Sequence, residues 1–295
     1  MTFSKKKSVG LTFKGNKDNW MFTLNCKGRL LVIYSPIVMG VININQDSFY
    51  QGSRHTGLKQ ILDTAEKMIG DGAAIIDIGG QSTRPGSIQI SADEELVKVI
   101  PAIEMIRKNF PEIFISIDTY YGRVAKEAVN AGASMVNDIS AGCMDGSMAD
   151  TVATLQVPYI LMHMQGQPAD MQIKPHYIDV TQEVLDLLIQ KVSMLKEKGI
   201  KDIIIDPGFG FGKTITHNFT LLKNLSVFKM LELPILLGVS RKSTIYKTLE
   251  TNADNALNGT TVLNTIGLLN GAHILRVHDV KEAVETVKLF QAYQS

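Results

Sequence analysis

The sequence predicts an α/β protein, a (β/α)8 TIM barrel with a short N-terminal antiparallel extension, and three observations predict it. Eight short apolar runs succeed one another without polar alternation, as strands buried on both faces of a parallel sheet do. An amphipathic helical stretch separates each run from the next, and strict strand–helix alternation defines the α/β class. Nearly every run also ends in a polar or charged residue. The length of 295 residues agrees, because one such barrel takes roughly 250. An open doubly wound sheet is the rival architecture for the same pattern.

Residues 1–35 stand outside the alternation. Leu11–Phe13, Phe22–Leu24 and Leu30–Ile33 are expected to form a small antiparallel lid over the barrel bottom, and the Lys-rich segment Ser4–Asn19 to be partly disordered. The catalytic barrel is expected over 36–295. Its strands read as Ile37–Ile44, Ala74–Ile78, Ile113–Asp118, Met135–Asn137, Tyr159–Met162, Ile203–Asp206, Ile235–Val239 and Ile274–Val277. The first helix, Leu58–Ile69, spaces Leu58, Ile61, Leu62, Ala65, Met68 and Ile69 along one face and meets a stop at Gly70. The other helices read as Glu94–Lys108, Arg123–Ala131, Gly146–Leu155, Val180–Lys198, Asn218–Phe228, Asn255–Leu269 and Val280–Tyr293.

Composition narrows the partners. A 45% hydrophobic content supports a large core, and a net charge of +1 gives no basic track for nucleic acid. Cys26 and Cys143 read as free thiols in a reducing compartment, no apolar run is long enough for a membrane span, and the start lacks the apolar stretch of a signal peptide. The expected location is the cytoplasm.

The strand ends carry the chemistry. Asn43, Asp77, Asp118, Asn137, His163, Asp206, the run Ser240-Arg241-Lys242-Ser243, and Arg276 with His278 would all face the C-terminal mouth where barrels of this kind react. Some have plainer readings: Asp138 as a helix cap, Asp77 as an acceptor of backbone hydrogen bonds, His163 as a satisfied core histidine. Arg276 and His278 are two apart and would project to one side of their strand, suiting an oxyanion. Asn43 and Asp47 offer hard oxygen ligands for Mg²⁺. Asp118, Asn137 and Asp206 could read a flat heterocycle with amino and amide edges. The segment Asp206–Lys213 contains GFGFGK, which lacks P-loop spacing; its glycines would admit a planar ligand, with Phe209 or Phe211 as an apolar wall. The polar loops 45–54 and 81–87 are candidate lids, expected to be ordered by a first ligand before a second binds.

These residues resemble the dihydropteroate synthase family. The resemblance runs from about Thr23 to the C-terminus. It is carried by Met39-Gly40-Val41-Ile42-Asn43 with Asp47-Ser48-Phe49, Ile76-Asp77-Ile78-Gly79-Gly80 with Ser82-Thr83-Arg84-Pro85-Gly86, and Ser116-Ile117-Asp118-Thr119. Asn137-Asp138-Ile139, Met162 to Gly166, Asp206 to Lys213, Ser240 to Ser243 and Arg276 to Asp279 complete it.

The family condenses 6-hydroxymethyl-7,8-dihydropterin pyrophosphate with p-aminobenzoate in folate synthesis, and is the target of sulfonamides. The resemblance implies that Asp118, Asn137, Asp206 and Lys242 bind the pterin, and that Asn43, Arg84, Arg276 and His278 bind pyrophosphate. It implies Thr83, Pro85, Phe209 and Ser243 for the p-aminobenzoate pocket and Asn43 with Asp47 for Mg²⁺. Asp118, Lys242, Arg276 and His278 would carry catalysis in a dissociative substitution without a covalent enzyme intermediate, in a homodimer. Two departures, Asn45-Gln46 where the family usually has Thr-Pro and Gln81 where many members have Glu, bear on loop stiffness and arylamine or sulfonamide affinity. A pterin-binding methyltransferase barrel and a non-catalytic pterin-binding paralogue are the alternatives. The Ser82–Gly86 loop, Lys242 and the Arg276/His278 pair argue against the first, and retention of the ring residues against the second.

Overall fold

The computed structural model describes residues 21–44, 54–81, 89–168 and 170–295. The expectations for Leu11–Phe13 and Ser4–Asn19, for Asp47, Thr83, Arg84 and Pro85, and for most of the two polar loops lie outside the described residues.

Phe22–Cys26 (β1) and Arg29–Ile33 (β2) pair as an antiparallel hairpin, with Phe22 opposite Ile33. Alternation buries Leu24, Cys26, Leu31 and Ile33 on one face. That face shares a hydrophobic cluster with Met39, Ile75, Met135, Ile160, Ile204, Leu236 and Ile274, which sit toward the N-terminal ends of the barrel strands. The hairpin therefore closes the bottom.

The strands are Ile37–Asn43 (β3), Ile75–Gly79 (β4), Phe114–Asp118 (β5), Met135–Asp138 (β6), Tyr159–Met162 (β7), Ile203–Asp206 (β8), Leu236–Leu237 (β9) and Ile274–Val277 (β10). They pair in parallel in the order β8-β7-β6-β5-β4-β3-β10-β9. A parallel bridge between Ile205 and Ile235 joins the two ends, so the sheet curls to the verge of closure rather than standing open. The other side chain of each pleat, such as Ile76, Ile78, Ile115, Ile117, Val136 and Leu161, faces the helices in the main core.

The helices are Arg54–Gly70 (α1), Ala92–Asn109 (α2), Gly122–Ala131 (α3), Met148–Leu155 (α4), Val180–Glu197 (α5), Ile215–Lys223 (α6), Ser243–Thr248 (α7), Leu257–Leu269 (α8) and Val280–Gln294 (α9). None among the described residues is long and apolar enough to cross a membrane.

Of the boundaries that differ from the sequence reading, three have a local cause. The stop after α1 is Gly72, not Gly70. Gly72 takes φ +103, Ala73 N donates to Met68 O at 2.9 Å and Gly72 N to Ile69 O at 3.0 Å, a reversal that needs a left-handed residue two positions later than expected. The stretch expected as one helix over Asn218–Phe228 is α6 followed by a 3-10 turn over Leu225–Leu231. A capping box between Thr214 and His217 starts α6 early, and Asn224 ends it while its side chain reaches Thr181. β9 is shorter than Ile235–Val239; at its start the Ile235 N–H donates to the His273 Nδ1 atom at 2.9 Å, which leaves Ile235 an isolated bridge.

Candidate active site

Above the apolar floor the barrel interior turns polar. Asp77 on β4 is fully buried, and its Oδ2 accepts from Arg276 Nε at 2.7 Å and from Asn137 Nδ2 at 3.0 Å. Arg276 on β10 also donates from Nη2 to Asp118 Oδ2 at 2.6 Å. One guanidinium thus serves carboxylates from two neighbouring strands. Burial works against its charge, but Asp77 and Asp118 overcome that and hold the pKa of Arg276 above its ordinary value. Burial pushes the Asp118 carboxyl up to about 7 against the pull of Arg276, with Asp77 and Asp138 adding repulsion. Asn137 commits its amide nitrogen to Asp77, so its amide oxygen is the atom left to accept from a ligand.

Asp206, at the end of β8, is buried and accepts from Gly208 N at 2.7 Å. Burial raises its pKa. Lys242 caps α7; its ammonium donates to the Phe209 carbonyl and stands 4.6 Å over the Phe211 ring. Burial brings the Lys242 pKa down to about 8 while Asp206 and Asp118 oppose the fall. Ser243 opens α7 beside it.

Phe209 is not the aromatic that meets Lys242. Its ring belongs to the main core behind the barrel, together with α6 and α8 residues such as Leu222 and Leu263, and it offers only its carbonyl to the lysine. Phe211, grouped with Tyr120, Ile139, Met162 and Met171, lies under the ammonium. Side-chain alternation cannot be read along a turn with positive φ at Gly208, Gly210 and Gly212, which is why the residues alone left both rings open and only the resemblance singled out Phe209.

Other positions separate. Asn43 is exposed at the end of β3, in one row with Gly79 and Asp118. His278 and Ser240 are joined twice: Ser240 Oγ accepts from His278 N at 3.2 Å and lies 3.0 Å from His278 Nδ1. If the hydroxyl donates to Nδ1, the neutral ring carries its proton on Nε2. Arg276 thus pairs with carboxylates on β4 and β5, while His278 meets Ser240 in the turn beyond β9. Arg241 commits its guanidinium to protein acceptors. It makes a bidentate pair with Asp279, both bonds 2.8 Å, and donates to the Ala253 and Asp254 carbonyls at 2.9 Å.

Asp138 is not a helix cap. Its carboxylate accepts from Ser140 N and Oγ, Gly142 N and the Tyr159 hydroxyl at 2.7–2.8 Å, organising the turn that follows β6. His163 is a buried, satisfied histidine, 2.8 Å from the Lys213 ammonium.

Two contributors escaped the sequence reading. Asp77 was read only as an acceptor of backbone hydrogen bonds, whereas its partners are the Arg276 and Asn137 side chains; an acid inside Ile75–Gly79 with no helix to cap was its signal. Lys213 was part of the GFGFGK segment, and nothing local marks it as buried. The strand ends together offer acceptors at Asp118, Asn137 and Asp206 and a donor at Lys242. That set fits a flat heterocycle with several N–H groups on one edge and a carbonyl or ring nitrogen on the other.

A family model described as pterin binding enzyme matches residues 39–278. The dihydropteroate synthase of Escherichia coli (strain K12) is 42% identical over 271 residues, covering 91% of this chain and 95% of that one. That of Haemophilus influenzae is 40% identical, covering 91% and 98%. Among solved structures, the Yersinia pestis dihydropteroate synthase with a sulfonamide drug complex superposes with a TM-score of 0.87 at 38% identity, covering 92% of this chain and 99% of that one. The Xanthomonas albilineans enzyme in complex with 7,8-dihydropteroate gives 0.83 at 36%, covering 92% and 99%.

Proposed function

Because the chain belongs to the dihydropteroate synthases, transferases of folate synthesis, we propose how its own residues divide the work of joining 6-hydroxymethyl-7,8-dihydropterin pyrophosphate to p-aminobenzoate. The observation that carries the proposal is the clustering of Asp118, Asp206, Lys242 and Arg276 at the strand ends, with Asn137 joined to them through Asp77. Asp118, Asp206 and the Asn137 amide oxygen accept from the N–H groups of the pterin, and Lys242 donates to its opposite edge. Asp118 also faces the positive charge that develops as the C–O bond to pyrophosphate breaks.

Asn43, Arg84, Arg276 and His278 receive the pyrophosphate. Arg276 keeps Asp77 as a partner through Nε and has further N–H groups for the leaving group. Among the described residues no three His, Cys, Asp or Glu side chains converge on a point. One exposed amide oxygen at a strand end instead suits Mg²⁺, which takes one or two protein ligands and keeps the remainder for water and phosphate. Asn43, with Asp47, would hold it, and when bound it supplies Lewis-acid charge to the departing oxygens. The arylamine then attacks the exocyclic methylene from a pocket made by Thr83, Pro85 and Ser243, with Phe211 rather than Phe209 as the aromatic face. No enzyme nucleophile enters.

The chain acts in the cytoplasm as a homodimer. Val262, Ile266 and Leu269 leave an apolar stripe at 49%, 37% and 53% exposure along α8, and a second copy of that helix is what would cover it. The decisive assay is pyrophosphate release. It should require both substrates and Mg²⁺; release with the pterin substrate alone, or none with both, would overturn the reading.

A further inference from the structure

The loop 207–212 that leads from β8 to α6 is satisfied by side chains more than by its own backbone. Asn218 accepts from Gly210 N at 2.7 Å, Gln172 donates to the Gly210 carbonyl, and Tyr177 OH donates to Gly212 O at 2.9 Å. Lys213 lies at its centre, 2% exposed. Its ammonium donates to Gly208 O at 2.9 Å and Phe211 O at 3.0 Å and meets His163 Nδ1 at 2.8 Å. The His163 carbonyl, at 3.4 Å, is a fourth neutral acceptor, and burial among neutral groups pushes the Lys213 pKa well below its ordinary value while Asp206 opposes the fall. Burial holds the His163 pKa down to about 3, so its ring accepts rather than repels.

The loop cannot slide toward β7. A Cβ on Gly208, at φ +73, would lie 1.8 Å from the His163 carbonyl, and one on Gly212 would lie 2.2 Å from the Gln165 carbonyl. Two groups of this pinned loop, the Phe209 carbonyl and the Phe211 ring, are what the Lys242 ammonium touches.

We propose that Lys213 is a positioning residue for Lys242: its buried ammonium fixes the β8–α6 loop so that the loop's carbonyl and aromatic face hold the Lys242 side chain where the heterocycle is read. The proposal rests on the reading that Lys242 binds the pterin. Without Lys213, Gly208 O, Phe211 O and His163 Nδ1 lose their shared donor, the loop relaxes, and Lys242 loses its two supports together.

The test is calorimetric binding of 6-hydroxymethylpterin and, separately, of pyrophosphate with Mg²⁺ to wild type, Lys213→Met, Lys242→Gln and the double variant, each checked by thermal melting. Displacing a binding group by a fraction of an ångström is costly, so Lys213→Met should weaken the pterin roughly tenfold or more. Pyrophosphate affinity should stay within about twofold, because its site lies on other strands, and the losses in the double variant should not add. A lowered melting temperature with normal pterin affinity, or equal weakening of both ligands, would make Lys213 merely structural and overturn the proposal. Unchanged pterin binding in Lys242→Gln would overturn the assignment of Lys242, and the proposal with it. Unchanged binding in Lys213→Met beside weakened binding in Lys242→Gln would overturn the proposal alone. Should Lys213→Met fail to fold, Tyr177→Phe removes one loop bond at nearly constant volume. Selective pterin weakening there supports the mechanism, and none overturns it.

Discussion

Lys242 and Arg276 are two cations at the strand ends, and their surroundings give them different tasks. Lys242 is desolvated, held by a carbonyl and a ring, and has Asp206 as its leading charge partner. Lys242→Gln keeps a donor but loses the charge. Turnover should fall at least ~10²-fold, while the melting temperature changes little because the residue faces the mouth. Steady-state kinetics beside a melting curve reads both, and near-normal turnover would remove Lys242 from the machinery. Arg276 is different because two carboxylates depend on it. Arg276→Ala leaves Asp77 buried without its cation, so a stability loss of about 3 kcal/mol or more should accompany weakened pyrophosphate binding. Denaturant unfolding tests the first effect and calorimetry the second; unchanged stability would mean that the pairing with Asp77 contributes nothing net.

At the scale of an element, α2 carries a carboxylate that the reaction does not use. Ser91 and Glu94 form a capping box that fixes the first turn, and this sets Glu95 facing inward beneath the end of β4. Glu95 is fully buried, accepts from Thr119 Oγ1 at 2.9 Å, and is pushed up to about 7 by burial. An acid raised in the folded state stabilises fully below its unfolded pKa, and that stability is lost as pH rises through the folded one. Glu95 should therefore cost stability progressively from about pH 4.5 to 7, on the order of 3 kcal/mol in all. Glu95→Gln should lose less melting temperature than wild type between pH 5 and 8. His163 and His273, depressed to about 3 and 4, act in the opposite sense below pH 6.5 but are common to both proteins. Parallel melting curves would show that Glu95 is not the group responsible.

Over the whole molecule, buried apolar side chains among the described residues form a helix-facing core, a floor sealed by the β1–β2 hairpin and a small cluster around Phe211, while the stripe on α8 is one of the apolar surfaces left exposed. A charge in the middle of the stripe would have to be desolvated if two copies met there. Ile266→Lys should shift the protein from dimer to monomer in sedimentation velocity at micromolar concentration, with pterin affinity kept. A wild type that sediments as a monomer would refute the homodimer.

The sequence by itself determined the alternation of strands and helices, and with it the set of polar residues at the barrel mouth. Both follow from local periodicity: unbroken apolar runs such as Ile203–Ile205 can only be covered on two faces, and Asp206 beyond them can only lie at the end. The tertiary structure decided which side chain meets which. That Asp77 ties Arg276 to Asn137 across the barrel, that Phe211 and not Phe209 lies under Lys242, and that Lys213 is buried among carbonyls all depend on contacts between distant strands and on left-handed loop residues. Neither periodicity nor motif spacing encodes these, because a side chain's partner is set by the register and curvature of the nearly closed sheet, not by its neighbours in the chain.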